Sequence, residues 1–266
     1  MTLLLFLCMA ASPQIQEMGE AQLNEYVEEL SAREPRFEER LEEVVLRSVG
    51  TAYQDGPLGE GPTGTYDTDP LVDLKRVDCV TYVEQSVALA SGASYPEALD
   101  SLRAIRYKDG KADFESRNHF MISDWIRNNP YCIDVTRQLG VETRSVVRTI
   151  SKKDFFELVK APGLGQDTPD EEVTLHYVPS ETTGDALDAL PGPSLIVFVG
   201  KVDWLFALHC GVLLRDDNDE PLLYHASSKA GKVVGVPLDQ YMREQADRYI
   251  GFTAYRIEEP ALYRTE

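Results

Sequence analysis

The chain has 266 residues, 43% hydrophobic and 27% charged, which is ample for a buried core of ordinary proportions. Asp and Glu total 45 against 26 Lys and Arg, a formal net charge of −19. So acidic a surface, with no basic cluster to offset it, argues against nucleic acid or anionic lipid as partners and reads as a solvated, solubilising exterior.

The chain opens MTLLLFLCMAASP. The run from Leu3 to Ala11 is too short to span a bilayer. It resembles the apolar region and small-residue cleavage zone of a secretory signal, although no Lys or Arg precedes it. Residues 1–12 are therefore read as a signal segment, with export to the periplasm or cell envelope expected. Leu7 stands where a lipoprotein site needs a small residue, so Cys8 does not suit lipidation. No later stretch approaches 18 apolar residues, so no membrane-spanning segment is expected.

From residue 13 onward a single domain is expected. Residues 16 to about 52 carry apolar residues at three- and four-residue spacing, predicting two helices with Pro35 beginning the second. The segment QDGPLGEGPTGTYDTDP is too rich in Gly and Pro for regular structure. DCVTYVEQSVALASG follows, with Val80, Val83, Val87 and Ala90 on one helical face and Gly92 as its stop. Residues 95–107 and 116–129 read as two further helices. Thr174–Val178, Leu195–Val199, Ala207–Leu214 and Leu222–His225 are short runs of branched and aromatic residues with polar turns between them, an antiparallel sheet pattern. Residues 160–190 read as an inserted loop. Helices first and strands afterwards predict an α+β fold.

Four cysteines occur, Cys8, Cys79, Cys132 and Cys210, with no CxxC pair and no zinc-like spacing. If Cys8 leaves with the signal, three remain and cannot all pair within the chain. Asp78 is a strong N-cap, which sets Cys79 at the first helical position. The unpaired N–H groups and partial positive charge there favour a thiolate and suit an oxyanion. The alternative is a small buried hydrophobe that happens to follow a cap.

A thiol nucleophile needs a base. His209, in ALHCGVLL, lies on a predicted strand 130 residues after Cys79, a separation expected of papain-type enzymes. His225, in LLYHASS, lies on what reads as the neighbouring strand. Histidines on adjacent strands can lie side by side, one as base and the other orienting its ring. A zinc site built on Cys79, His209 and His225 is the competing reading, disfavoured by the lack of any closely spaced ligand pair.

In order, GTAYQDGPLGEG, RVDCVTYVE, SLIVFVGK, LHCGVLL and YHASS resemble the NlpC-type papain-like cell-wall hydrolases. More narrowly, they resemble the N-acetylmuramoyl-L-alanine amidase-like branch, from about residue 45 to 257. SRNHFMISDWIRNN resembles a segment peculiar to that branch. The resemblance implies a papain-like fold with the nucleophile helix on an antiparallel sheet. It also implies hydrolysis of peptidoglycan fragments between the lactyl group of N-acetylmuramic acid and L-alanine, with a preference for anhydro-muropeptides and without a cofactor or metal. Cys79 matches the nucleophile, His209 the base, His225 the orienting residue, and Tyr53 the tyrosine whose hydroxyl lies beside the thiol. From its position alone, Tyr53 could equally be a packing aromatic. Cys210 departs from the usual valine and, as a small buried side chain, should change little. VDWLFA, before His209, is bulkier and more apolar than usual and is expected to line the cleft.

Asp78, Glu60, Arg117 and His119 are the candidate substrate-binding residues. Arg117 and His119 would face a sugar or peptide carboxylate, unless Arg117 simply pairs with a surface acid. Glu60 would orient a ligand hydroxyl or be solvated. Trp125 is read as core and His176 as structural. A stem-peptide endopeptidase, a non-catalytic cell-wall binding module and a metal-dependent hydrolase stay open as alternatives.

Overall fold

The computed structural model describes residues 13–216 and 218–260. The expected signal segment, with Cys8, lies outside the described residues. Helices α1 (Glu20–Arg33) and α2 (Phe37–Arg47) lead into two short parallel strands, β1 (Ala52–Tyr53) and β2 (Arg76–Val77). Then come α3 (Cys79–Ser91), α4 (Tyr95–Arg106), a π-helical turn at Met121–Trp125 and the three-residue α5 (Ile126–Asn128). The remainder holds β3 (Cys132–Asp134), β4 (Arg144–Ile150), α6 (Lys152–Leu158), β5 (Glu171–Pro179), α7 (Thr183–Ala186), β6 (Ser194–Gly200), β7 (Ala207–Arg215), β8 (Pro221–Ser227), β9 (Lys232–Pro237), α8 (Leu238–Glu244) and β10 (Tyr249–Ile257).

This is the expected mixed α+β class, built on one large sheet. The strands run β2-β1-β9-β8-β7-β6-β10-β5-β4, with β3 also paired to β10. Side chains alternate across it. Val197, Val199, Cys210, Val212 and Leu214 point to the face covered by α1–α4, whereas Ile196, Phe198 and Leu213 point to the face shared with Leu238 and Met242 of α8.

Helix α3 is the central element. Its residues from Thr81 to Ala90 are all buried, because α3 lies between the sheet and the flanking helices α2 and α4. The single apolar face read from Val80, Val83, Val87 and Ala90 therefore understates it. Glu84, 1% exposed, is carried into the interior and meets Arg106 of α4 at 2.7 Å and the Trp125 indole at 3.1 Å. Trp125 is the core residue expected.

Several expectations need correcting. Pro35 precedes α2 by two residues instead of opening it. The helix expected over 116–129 is confined to its second half. Asn118 gives its backbone N–H to Arg106 O and its side-chain amide to Ile105 O, which hold the chain extended until Met121. The strand expected at Thr174–Val178 is β5, which starts three residues earlier, pairs with β4 from Glu171 to Tyr177 and takes up part of the inserted loop expected at 160–190. Strands β4, β9 and β10 were not anticipated. β9 (KVVGVP) is interrupted by Gly and Pro, while β10 is a central strand whose neighbours β6, β5 and β3 come from elsewhere in the chain.

Candidate active site

Asp78 caps α3. Its Oδ1 accepts the Thr81 N–H at 2.8 Å, and Thr81 Oγ1 accepts the Asp78 N–H at 2.9 Å, a reciprocal capping box. Asp78 Oδ2 takes the Gly56 N–H at 3.2 Å, tying the loop after β1 to the helix start. Tyr53 stands opposite Val77 in the β1–β2 pair. Asp78 thus has a structural role filling both carboxylate oxygens, although it borders the cavity at Cys79. Cys79 follows as the first helical residue, half-buried, where the N–H groups of the opening turn have no intrahelical acceptor.

The two histidines meet as their strand positions suggested. β7 and β8 are antiparallel neighbours, and His209 Nε2 lies 2.8 Å from His225 Nδ1. Two details of β7 permit this. A register shift between Phe198 and Val199 inserts an extra residue just before His209. Gly211 leaves room for the neighbouring strand, since a Cβ there would fall 2.6 Å from Tyr224 O and 2.9 Å from His225 Cβ. The rings are perpendicular, with Tyr241 of α8 4.8 Å from His225 and Phe198 stacked on His209. Nothing in the local sequence marked Tyr241 or Phe198, which a helix and a strand on the far face contribute.

With His209 Nε2 engaged, its Nδ1 is left for Cys79, which borders the same two cavities. Burial, with the neighbouring His209, holds the His225 imidazole down at about 3, so it stays neutral and can accept the His209 Nε2–H through Nδ1. The Cys79 thiol is lowered to about 5. The largest cause is a hydrogen bond from Cys210, followed by the hydrogen bond and charge of His209, with burial opposing them. The Cys210 thiol also reaches the Cys79 carbonyl oxygen at 3.3 Å. The expectation that Cys210 changes little is therefore corrected: its thiol donates to the backbone carbonyl of the candidate nucleophile and favours the Cys79 thiolate. The Tyr53 phenol is raised by burial and by the negative charges of Asp55, Cys79 and Asp78, and so keeps its proton.

Two cavities open onto Cys79. The larger, about 840 Å³, is bordered by Tyr53, Asp78, His209, His225, Tyr241 and the polar turn Ser227–Lys229. The smaller, about 240 Å³, lies on the other side, with Arg117, His119, Met121, Leu205 and Ala207 in its walls and the Glu84–Arg106 pair in its lining. Leu205 of the bulky VDWLFA segment does border the cleft, while Trp204 is 54% exposed.

Arg117 reaches the smaller cavity already committed. Its Nε donates to Glu60 Oε1 at 2.8 Å and its Nη2 to Asp67 Oδ2 at 2.8 Å, clamping the loop around residues 60–67. Glu60 is 7% exposed, also accepts the Tyr107 hydroxyl, and borders neither cavity at Cys79. It is thus neither solvated nor within reach of a ligand at the thiol. The distance follows from its position behind Arg117. His119 donates Nε2–H to Phe114 O at 2.6 Å among the rings of Phe114, Phe155 and Phe156, and burial pushes its imidazole down to about 3. It offers the cavity a neutral edge. The zinc reading fares poorly on geometry: His209 and His225 spend a nitrogen each on one another, and among the described residues no three His, Cys, Asp or Glu are grouped to hold a metal ion.

Residues 44–251 match the model of the AmiA-like family, described as N-acetylmuramoyl-L-alanine amidase-like. A search of curated proteins gives no match. Among solved structures, a Legionella pneumophila protein superposes with a TM-score of 0.83 at 22% identity, over 92% of this chain and 96% of its own. An N-acetylmuramoyl-L-alanine amidase from Bacteroides uniformis superposes with a TM-score of 0.66 at 24% identity, over 84% of this chain and 99% of its own. A second structure under the same name and organism gives 0.63 at 25% identity, over 80% and 97%.

Proposed function

The chain belongs to the AmiA-like, N-acetylmuramoyl-L-alanine amidase-like family, and from that premise we propose that it is a thiol amidase acting on peptidoglycan fragments, with Cys79 as nucleophile. The observation that carries the reading is Cys79 at the start of a capped helix, grouped with the hydrogen-bonded His209–His225 pair and open to a cavity on either side. The papain-like assignment and an exported location belong to the same proposal.

The Cys79 thiolate attacks the lactyl carbonyl carbon of a muramoyl–L-alanine amide. The oxyanion that forms is met by the unpaired N–H groups of the first turn of α3 and by the protonated Tyr53 hydroxyl. His209 delivers its Nδ1 proton to the departing L-alanine nitrogen as the C–N bond breaks, leaving a thioester on Cys79. Water, deprotonated by His209, then releases the muramic acid carboxylate. His225 accepts the Nε2–H throughout, holding the ring in place and supporting its charged form. Tight burial keeps His225 from competing for the proton.

The test is incubation with defined anhydro- and reducing-end muropeptides, followed by mass analysis. The reading expects an intact stem peptide headed by free L-alanine, and a loss of at least about 10³-fold in rate for Cys79→Ala. Fragments cut within the stem would assign the thiol to endopeptidase chemistry, and an undiminished Cys79→Ala rate would end the proposal.

A further inference from the structure

Cys79 and Cys210 meet at the floor of the smaller cavity, where the Cys210 sulfur lies 3.3 Å from the Cys79 carbonyl oxygen. Cys210 follows His209 on β7, and strand alternation turns its side chain away from that of His209 and under the first turn of α3. There its S–H donates to the Cys79 carbonyl oxygen at 3.3 Å, which sets the two cysteines against one another. Both residues border the 240 Å³ cavity, and Cys79 also borders the larger one, so a small polar oxidant can reach the pair from solvent. The third thiol among the described residues, Cys132 on β3, is buried away from both cavities, and burial alone pushes it up and leaves it inert.

We propose that Cys210 is a resolving thiol, and that peroxide-class oxidants convert the Cys79–Cys210 pair to a reversible disulfide that switches the site off and shields Cys79 from over-oxidation. The inference rests on Cys79 being the reactive thiol of the reading above, but not on which bond the enzyme cuts.

The chemistry balances in two steps. Cys79 thiolate attacks one oxygen of hydrogen peroxide: an S–O bond forms, the O–O bond breaks, and the expelled hydroxide takes a proton to become water, leaving a sulfenic acid. Sulfur loses two electrons and the peroxide gains them. Cys210 sulfur then attacks Cys79 sulfur, expelling hydroxide, which takes the Cys210 proton to form a second water. In the resting pair the hydrogen bond to Cys79 is the main cause holding the Cys210 thiol well up, with burial next. Neutralising Cys79 as the sulfenic acid removes the first of these just when Cys210 must attack. With Cys210 already against the Cys79 backbone, closing the pair to a bond of about 2 Å asks for a shift that side-chain torsions and the end of a helix can absorb. A valine at this position would leave the sulfenic acid no partner, and excess peroxide would drive it to the irreversible sulfinic acid.

The experiment treats the full chain with excess hydrogen peroxide, divides the sample, and reads non-reducing peptide maps alongside activity before and after dithiothreitol. Wild type should yield a cross-linked Cys79–Cys210 peptide pair lighter by two hydrogen atoms, and recover most of its starting activity on reduction. Cys210→Val and Cys210→Ser, each normalised to its own activity before oxidation, should yield Cys79 carrying two added oxygens and recover about tenfold less. If the wild-type maps show Cys79 sulfinic acid without the cross-link, or if both variants recover as fully as wild type, the proposal falls. The maps need no substrate, so they stand even if the muramoyl amide assay fails.

Discussion

Two polar clusters lie against α3, one at its first turn and one a turn further along, and they resolve burial in opposite ways. The Glu84–Arg106 pair is matched and closed. Each carboxylate oxygen has a donor, Arg106 adds a bond to Leu58 O at 2.6 Å, and the pair is locked beneath the smaller cavity. The Cys79–His209–His225 series is left short of charge, with two imidazoles sharing one hydrogen bond and a thiol that ionises easily. A matched pair has no reason to move a proton, whereas a series with one titratable thiol and a neutral terminal imidazole does. The comparison teaches that ionisable groups in a core are structural when their charges are satisfied in place, and chemical when the set is completed only by a reacting molecule.

The largest effect that tests this contrast is Arg106→Met. It strands the Glu84 carboxylate in the interior and should cost about 3–5 kcal/mol in denaturant midpoint stability, read from urea unfolding at neutral pH. Because burial already raises the Glu84 carboxyl, acidifying the variant should restore part of the loss. A variant as stable as wild type would show that the matched pair does not hold the core. His225→Ala should do the reverse, lowering turnover by about 10²-fold while costing less stability than Arg106→Met. Unchanged turnover would remove His225 from the series.

Two pH profiles follow. Alkylation of Cys79 by iodoacetamide should titrate near pH 5 instead of near the ordinary 9.0 of a thiol. A midpoint above pH 8 would contradict the thiolate. The second profile concerns stability. His119 and His225 are lowered from 6.5 to about 3 in the folded chain, so between those values the unfolded chain binds more protons. Their contribution is fully present above pH 6.5 and is lost as pH falls toward 3. Each contributes on the order of a few kcal/mol, and His119→Gln should flatten the acid limb of a urea-midpoint series. The smallest effect belongs to Arg117→Lys, which keeps the charge but loses the fork that binds Glu60 and Asp67 together. About 1 kcal/mol of stability should go, read by thermal unfolding.

Much of the site could be read along the chain because its signals are local. An Asp before an apolar helical pattern marks a cap wherever it occurs, which placed Cys79 at the start of α3. Two strand histidines flanking a polar turn were enough to anticipate the β7–β8 contact. The misses share a physical cause. Glu60 and Arg117 are oriented by one another across 57 residues, and no spacing rule reports that. β4, the partner that pairs with the strand expected at Thr174–Val178, was not recognised, since nothing in its own sequence reports that pairing.

The sequence by itself determined the class of the fold, the capped helix with Cys79 at its start and the two histidines on neighbouring strands, since propensity, capping and strand alternation act over a few residues. Only the tertiary structure decided what surrounds them. It turned Cys210 from a packing side chain into a second thiol beside the first, made Glu84 and Arg106 a matched pair, and caged the imidazoles with Tyr241 and Phe198. Those roles depend on which distant segments pack together, and packing is settled by the whole chain's burial and not by any one stretch of it.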